Sequence, residues 1–133
     1  MGKDSKKKKL SPEQKDILLG CGTEAAFSGK YVHWKKNGDF VCAACDNVLF
    51  SSKDKFDSST GWPSFSDVSS STSIKTKNDY KLLVPYIEVL CQRCGGHLGH
   101  VFDDGPKEST GLRYCINSLA LDFKEKKTIQ KKR

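Results

Sequence analysis

The chain has 133 residues, a length that fits one domain with a single modest hydrophobic core. Hydrophobic residues make up 36% of it, and no apolar run approaches the roughly 20 residues that a membrane-spanning helix needs. The net charge of +7 arises at the ends: residues 1–9 carry +4 and residues 124–133 carry +5, which leaves about −2 for residues 10–123. This distribution argues against a basic nucleic-acid-binding face on the folded domain.

The two ends of the chain also indicate its domain organisation and its location in the cell. Residues 1–9 hold five lysines and no apolar stretch that could act as a secretory signal. We therefore expect a cytoplasmic protein without membrane association, with nuclear access open to it through its lysine runs. The predicted organisation is a disordered basic tail over 1–9, one domain over 10–123 and a second basic tail over 124–133. A monomer is the default expectation.

The sequence near the N-terminus indicates the start of a helix. Ser11 suits the N-cap, Pro12 suits the first helical position, and Gln14 is placed to close a capping box. Gly20 suits the position just after a helix end. These signals predict a helix from Pro12 to Leu19.

Beyond Gly20 the pattern favours strands. The Asn37-Gly38 dipeptide predicts a hairpin between Lys30–Trp34 and Asp39–Cys42. Further strands are predicted at Asn47–Ser51, Thr72–Lys75, Tyr80–Leu90, Gly99–Phe102 and Leu112–Phe123. Polar stretches at 51–60, 66–73 and 103–111 are predicted to be loops. The fold should be mainly β, with one short N-terminal helix and long loops that a metal could hold in place.

Four of the six cysteines form two pairs, Cys42-x-x-Cys45 and Cys91-x-x-Cys94. Each pair follows apolar strand residues and precedes a residue that tolerates a left-handed backbone, which is the pattern of a zinc knuckle. Two knuckles supply the four thiolates of a closed structural zinc site. The alternatives are two redox dithiols or free core cysteines, or a site that recruits His97 or His100.

The segment around Cys115 has the period of a strand. Arg113, Cys115 and Asn117 should share one face, opposite Leu112, Tyr114 and Ile116. A neighbouring arginine lowers the pKa of a thiol, so this arrangement suits a nucleophile. A lone cysteine can equally be a small buried hydrophobe. The apolar parity reverses after Asn117, which favours a bulge near Ser118 over a second half that is buried differently.

Several segments together closely resemble the methionine-R-sulfoxide reductase family, MsrB. The resemblance runs in family order over roughly residues 20–123. It is carried by Gly22-Thr-Glu24, Phe27-Ser-Gly-Lys-Tyr31, the two Cys-x-x-Cys pairs, Lys55-Phe-Asp57, Gly61-Trp-Pro-Ser-Phe65, His97-Leu-Gly-His-Val-Phe102, Asp104-Gly-Pro106, Gly111 and Arg113-Tyr-Cys-Ile-Asn-Ser118.

The resemblance implies two antiparallel sheets, a structural zinc ion away from the catalytic centre, and reduction of methionine-R-sulfoxide, free or in oxidised proteins, with thioredoxin as reductant. It also implies roles for individual residues. Cys115 would attack the sulfoxide sulfur, supported by Arg113. His97, His100 and Asn117 would line the polar side of the pocket, and Trp62 would pack on the substrate methyl group. A histidine pair can protonate the sulfoxide oxygen, and the cysteine becomes a sulfenic acid.

One position departs from the family pattern. Many members carry a second, resolving cysteine just before Gly-Trp-Pro-Ser-Phe, where this chain has Thr60. With four cysteines committed to zinc, Cys21 is the remaining candidate to resolve the Cys115 sulfenic acid as a disulfide. The alternative is that thioredoxin or a small thiol reduces the sulfenic acid directly.

The rival function is a zinc-ribbon module that binds nucleic acid through its basic tails. The 45 residues between the two cysteine pairs are many for a ribbon, whose pairs usually lie about 15–20 residues apart. A ribbon would also leave Arg113, Cys115 and Asn117 without a role. A metal or redox sensor is a further possibility, and stoichiometric oxidation without turnover would distinguish it.

Overall fold

The structure is a computed structural model that describes residues 10–20, 22–79 and 86–125. One helix, α1 (Pro12–Leu18), is followed by nine strands. The strands are β1 (Gly38–Cys42), β2 (Val48–Ser51), β3 (Lys55–Phe56), β4 (Ser64–Phe65), β5 (Ile74–Asp79), β6 (Tyr86–Cys91), β7 (His97–Phe102), β8 (Arg113–Ile116) and β9 (Leu121–Glu125). No helix within these ranges is long and apolar enough to cross a membrane.

The strands form two antiparallel sheets, which confirms the predicted mainly β fold. The smaller sheet has the order β2-β1-β9 and the larger has the order β3-β4-β8-β7-β6-β5. The core lies where both sheets contribute side chains, among them the fully buried Phe40, Phe50, Phe65, Leu98 and Ile116. Phe50 of the smaller sheet stacks on Phe65 of the larger, with ring centroids 4.4 Å apart. Aromatic packing of this kind fixes the two sheets against each other.

The helix begins as predicted and ends one residue early, at Leu18. The backbone N–H of Gln14 donates to Ser11 Oγ at 3.1 Å, and the N–H of Ser11 donates to Gln14 Oε1 at 2.9 Å. This is the expected capping box. Ile17 and Leu18 are buried, so the short helix is held by packing against the core.

The predicted hairpin between Lys30–Trp34 and Asp39–Cys42 is wrong. Residues 31–33 form a turn, and β1 pairs instead with β2 and β9. Tyr31 is buried against Phe40 and Trp34, with ring centroids at 5.4 and 5.0 Å. The apolar residues that suggested a strand therefore lie in a turn, from which they pack into the core without pairing to another strand.

The predicted strand Leu112–Phe123 is two strands in different sheets. β8 belongs to the larger sheet and β9 to the smaller, and a 3-10 helix at Ser118–Ala120 joins them. The predicted bulge near Ser118 is thus wrong. The alternative explanation of the reversed apolar parity, that the second half of the segment is buried differently from the first, is confirmed. Ser118 is itself buried and accepts a hydrogen bond from the Tyr31 N–H at 3.2 Å.

The other strand predictions hold with shifted ends. The segment predicted at Asn47–Ser51 is β2, that at Thr72–Lys75 is β5, and that at Gly99–Phe102 is β7. Tyr80–Leu90 appears as β6, while its first part, residues 80–85, lies outside the described residues. The short strands β3 and β4 were not predicted, and β3 falls in a stretch that was predicted to be a loop.

Candidate active site and metal centre

Cys115 lies in β8, between β4 and β7 of the larger sheet. The register places it opposite Ser64 on β4 and opposite His100 on β7. His100 in turn lies opposite Glu88 on β6. Directly opposed residues of antiparallel strands project to the same face, so these four side chains form one row across four strands. The predicted alternation holds within β8, where Arg113 and Cys115 are half-buried and Tyr114 and Ile116 are buried. Asn117 lies beyond the strand and is buried.

The histidines lie side by side at this row. The ring centroids of His97 and His100 are 5.4 Å apart in an edge-on arrangement. His97 is 2% exposed, and its Nδ1 lies 2.7 Å from Glu88 Oε2. Glu88 is also buried, and a buried carboxylate fixes both the ring orientation and the tautomer of its histidine partner. Glu88 was missed in the sequence because its partner lies on the neighbouring strand.

Arg113 is held by a carboxylate at the end of β7. Its Nε donates to Asp104 Oδ1 at 2.8 Å and its Nη2 donates to Oδ2 at 3.2 Å, a bidentate arrangement. Its guanidinium also stacks 4.6 Å above the Phe102 ring. Hydrogen bonding from Arg113 lowers the pKa of the Asp104 carboxyl, so this carboxylate stays charged. Asp104 lies in a segment that was predicted to be a loop, with no role assigned to it, and here it orients the arginine beside the thiol.

Burial and the charge of Arg113 act in opposite directions on the pKa of the Cys115 thiol. Burial raises the pKa of its thiol, and the charge of Glu24 acts in the same direction. The Arg113 charge and hydrogen bonds from Thr60 and Arg113 lower that pKa, as predicted for the arginine, but burial outweighs them. The arginine therefore acts in the direction expected from the sequence, while the strand position that protects the thiol also desolvates it.

Trp62 and Asn117 are connected through Glu24. The Trp62 indole Nε1–H donates to the Glu24 carbonyl at 3.0 Å, and the Glu24 N–H donates to Asn117 Oδ1 at 2.9 Å. Asn117 is buried, and its Nδ2 donates to the Leu98 carbonyl at 3.0 Å. The Glu24 carboxylate accepts from the Leu119 N–H at 2.9 Å. Glu24 therefore positions both residues, a task that local sequence could not reveal.

The four paired cysteines converge as predicted. Their sulfurs all lie within 4.8 Å of one another. The Cys42–Cys94 and Cys45–Cys91 sulfurs are separated by 3.7 and 3.6 Å. A tetrahedral zinc site with bonds of about 2.3 Å has sulfurs roughly 3.8 Å apart, so the geometry fits such an ion. In the part of the chain that the structure describes, this is the one cluster of metal-ligand side chains found, and no histidine belongs to it.

The protonation of these thiols also suits a cation. Hydrogen bonds from Cys42 and Cys94 lower the pKa of Cys91, whereas the hydrogen bond to Cys91 raises that of Cys42. Burial raises the pKa of Cys45 to about 11. Ionisation of one thiol in the cluster thus disfavours ionisation of the next. A divalent cation offsets this repulsion because it stabilises all the thiolates at once.

The remaining candidate, Cys21, lies outside the described residues. Its neighbour Gly22 is described, and the Gly22 N–H donates to the Asp16 carbonyl at 3.0 Å. The chain then passes to Glu24, which contacts the site as given above. The proposed resolving role of Cys21 therefore stays a prediction.

The sequence matches that of known proteins over nearly the whole chain. A profile of the SelR domain matches residues 10–125. A Methanosarcina barkeri protein named peptide methionine sulfoxide reductase MsrB is 55% identical over 118 residues, which cover 89% of this chain and 82% of that protein. The chain belongs to the SelR family, that of the MsrB reductases.

Other SelR-family relatives agree. The protein of the same name from Methanosarcina mazei is 53% identical over 124 residues, which cover 92% of this chain and 88% of the relative. Methionine-R-sulfoxide reductase B2, mitochondrial, of Rattus norvegicus is 50% identical over 127 residues, which cover 90% and 72% of the two chains. These matches confirm the resemblance drawn from the motifs and the assignment to an oxidoreductase family.

Proposed function

We propose that this SelR-family protein reduces methionine-R-sulfoxide, free or in oxidised proteins, to methionine, with Cys115 as the nucleophile. The observation that carries the proposal is the position of Cys115 on β8, opposite His100 and beside an arginine held by Asp104. A thiol, a proton donor and a fixed cation at one place are the groups that reduction of a sulfoxide by a thiolate needs.

The reaction begins with attack of the Cys115 thiolate on the sulfoxide sulfur. A proton from the histidine pair goes to the sulfoxide oxygen, which makes it a better leaving group. With a second proton the oxygen leaves as water, and the methionine sulfur is then bonded to the Cys115 sulfur. Water attacks the Cys115 sulfur, the S–S bond breaks, a proton is released, and methionine departs from the Cys115 sulfenic acid. The sulfoxide sulfur has then gained two electrons and the Cys115 sulfur has lost two.

The residues around Cys115 have separate roles in the proposed reaction. Glu88 holds His97, and the His97 ring packs edge-on against the His100 ring. His100 lies opposite Cys115 in the strand register. Arg113 stabilises the thiolate against the burial that disfavours it. Trp62 provides an apolar wall for the substrate methyl group, and Asn117 holds the segment that orients Trp62.

The cysteine cluster has a structural role in this proposal. Cys42, Cys45, Cys91 and Cys94 would hold one zinc ion, which supplies a cross-link when bound and has no coordination position left for a substrate. Cys42 ends β1 in the smaller sheet and Cys91 ends β6 in the larger. The ion would therefore join the two sheets.

The return to the thiol needs two further electrons. Cys21 would attack the Cys115 sulfenic acid, release water and form a disulfide, which thioredoxin then reduces. Support for this step comes from the presence of Thr60 where a resolving cysteine is expected, and from the clustering of four other cysteines in a geometry that could hold a metal ion.

An assay with separated epimers tests the proposed activity. The purified enzyme, offered R and S methionine sulfoxide with a dithiol as reductant, should convert the R epimer with turnover. We expect the S epimer to react at background rate, because the methyl group and the oxygen exchange places between the Trp62 wall and the histidines. Equal rates for both epimers, or none for the R epimer, would contradict the proposal.

The resolving step is tested by reductant choice. With thioredoxin, the Cys21→Ser variant should lose most of its turnover, because thioredoxin attacks disulfides readily. With a small dithiol, which reduces the sulfenic acid directly, the variant should keep most of its rate. Unimpaired thioredoxin-dependent turnover would show that another route returns Cys115 to the thiol.

A further inference from the structure

A cavity of about 360 Å³ lies at the β3 edge of the larger sheet, and three lysines line it: Lys35, Lys53 and Lys55. We propose that this lysine pocket binds an acidic side chain of a protein substrate, about three residues from the methionine sulfoxide that Cys115 reduces. The inference rests on the proposed function. It adds to that function a preference for the sequence around the methionine.

The lysine pocket carries an excess of positive charge. Lys35 and Lys53 are exposed, and Lys55 is half-buried. Among the described residues that line the cavity, Asp57 has the one carboxylate, and it accepts a hydrogen bond from the Ser59 N–H at 3.0 Å. The three lysine ammonium groups form no ion pair with any residue that the structure describes. Their charge is therefore available to an anion that enters the cavity.

Lys55 is the most fixed of the three lysines. Its Nζ donates to the Val32 carbonyl at 2.8 Å, which leaves two of its three ammonium protons for a ligand. Burial lowers the pKa of Lys55, and the charge of Lys35 acts in the same direction. A carboxylate between these two lysines would accept hydrogen bonds from them and offset their repulsion.

The strand register connects the lysine pocket to the reactive cysteine. Phe56, which lines the cavity, lies opposite Ser64, and Ser64 lies opposite Cys115. Opposed residues project to the same face, and neighbouring strands are about 4.8 Å apart, so about 10 Å of one sheet face separates Phe56 from Cys115. An extended peptide advances about 3.3 Å per residue. The distance therefore corresponds to about three residues of a bound peptide.

A second connection runs over an exposed aromatic pair. The rings of Phe27 and His33 stack with centroids 6.5 Å apart, and His33 lines the cavity. The Phe27 N–H donates to the Gly61 carbonyl at 2.7 Å, which holds Phe27 beside the loop of Trp62.

The conformation of Phe27 also suits a binding surface. The residue is 63% exposed, so its ring adds little to the core, and its φ of +65° is costly for a bulky side chain. Strain of this kind is concentrated at functional sites. The ring offers an apolar surface between Trp62 and the lysine pocket, where the residues between the methionine and the acidic side chain would lie.

The charge of the rest of the domain favours a protein segment over a nucleic acid. Residues 10–123 carry about −2, so the lysine pocket is a local feature and not part of an extended basic face. Exposed lysine–carboxylate pairs are weak, which suits a substrate that must be released after each turnover.

The test compares heptapeptides with methionine-R-sulfoxide at the centre and aspartate, asparagine or lysine three residues away on either side, with alanine elsewhere. With a dithiol as reductant and at low salt, kcat/KM for the aspartate peptide should exceed that for the lysine peptide by about tenfold on one of the two sides. The asparagine peptide should lie between them. At about 0.5 M salt the difference should largely disappear.

Charge reversal assigns the effect to the lysine pocket. The Lys35→Glu/Lys53→Glu variant should prefer the lysine peptide to the aspartate peptide. The matched control is Lys75→Glu/Lys77→Glu, which makes the same change in net charge at exposed positions of β5, the opposite edge of the sheet. It should keep the wild-type order. Equal values for the aspartate and lysine peptides in the wild type, or the wild-type order in Lys35→Glu/Lys53→Glu, would overturn the inference.

A binding measurement separates this inference from the proposed function. Fluorescence anisotropy of the labelled peptides is recorded with full-length, metal-loaded Cys115→Ser protein, which does not consume them. The aspartate peptide should bind about tenfold more tightly than the lysine peptide. This order without reduction by the wild type would remove the proposed function alone. Equal binding with normal reduction, or a single-stranded oligonucleotide as the only ligand that the lysine pocket variant loses, would overturn the inference alone.

Discussion

Replacing Cys115 by serine is expected to abolish reduction of methionine-R-sulfoxide, with a loss of roughly three orders of magnitude or more. A serine hydroxyl remains protonated where a thiol ionises, so the nucleophile is lost although its shape is kept. The change is small in packing terms because the Cys115 side chain is only half-buried. The measurement is steady-state formation of methionine from the R epimer with a dithiol as reductant.

The control for Cys115→Ser is the state of the fold. Circular dichroism, melting temperature and bound zinc should match those of the wild type, because Cys115 does not belong to the metal cluster. An intact fold combined with retained turnover would exclude Cys115 as the nucleophile and direct attention to the cysteine at position 21.

Removal of the bound metal is expected to unfold the domain or to lower its melting temperature by tens of degrees. Structural zinc sites contribute about 10–16 kcal/mol in small zinc-binding peptides, whereas a whole domain has only about 5–15 kcal/mol of stability. Here the metal would join the end of β1 to the end of β6, and thus one sheet to the other. The measurement is thermal unfolding with and without a strong chelator, alongside the zinc content of the protein.

Matched cysteine variants make this test specific. Cys94→Ser removes an exposed member of the cluster and should lose zinc and melt at a lower temperature. Cys115→Ser removes a cysteine outside the cluster and should do neither. A chelator-treated protein that is free of zinc and melts at the original temperature would show that the metal is dispensable for stability.

Local chemistry made several features predictable from the sequence. The capping box at Ser11 and Gln14 depends on residues three apart, and the structure contains it. The convergence of the cysteine pairs followed from their paired spacing and from the types of residue around them. The alternating burial around Cys115 followed from strand period alone.

Features that depend on distant partners were not predictable in the same way. The Asn37-Gly38 dipeptide favours a tight turn, yet Gly38 begins β1, which pairs with β2 and β9. The buried Tyr31 of the preceding segment packs on Phe40 from a turn. The break at Ser118 depends on Glu24 and Tyr31, which lie far away in the chain. Register between strands and the choice of sheet are set by such contacts rather than by local propensity.

The same limit applies to the candidate site. Reactive groups could be identified by type and spacing, whereas the groups that position them could not. Glu88 on β6 holds His97 on the neighbouring β7, and Asp104 holds Arg113 across a loop. The direction of the net pKa shift of the Cys115 thiol was also not predictable. Burial, which raises this pKa, outweighs Arg113, which lowers it, only in the folded protein.

The most direct measurement uses the Cys21→Ser variant in a single turnover without any reductant. One equivalent of methionine-R-sulfoxide is added, a sulfenic acid reagent such as dimedone traps the product, and the tryptic peptides are mapped by mass spectrometry. If Cys115 is the nucleophile, one equivalent of methionine forms and the trapped group lies on the peptide 114–124. Methionine formed in the same amount with that peptide unmodified, and the trapped group elsewhere, would contradict Cys115 as the nucleophile.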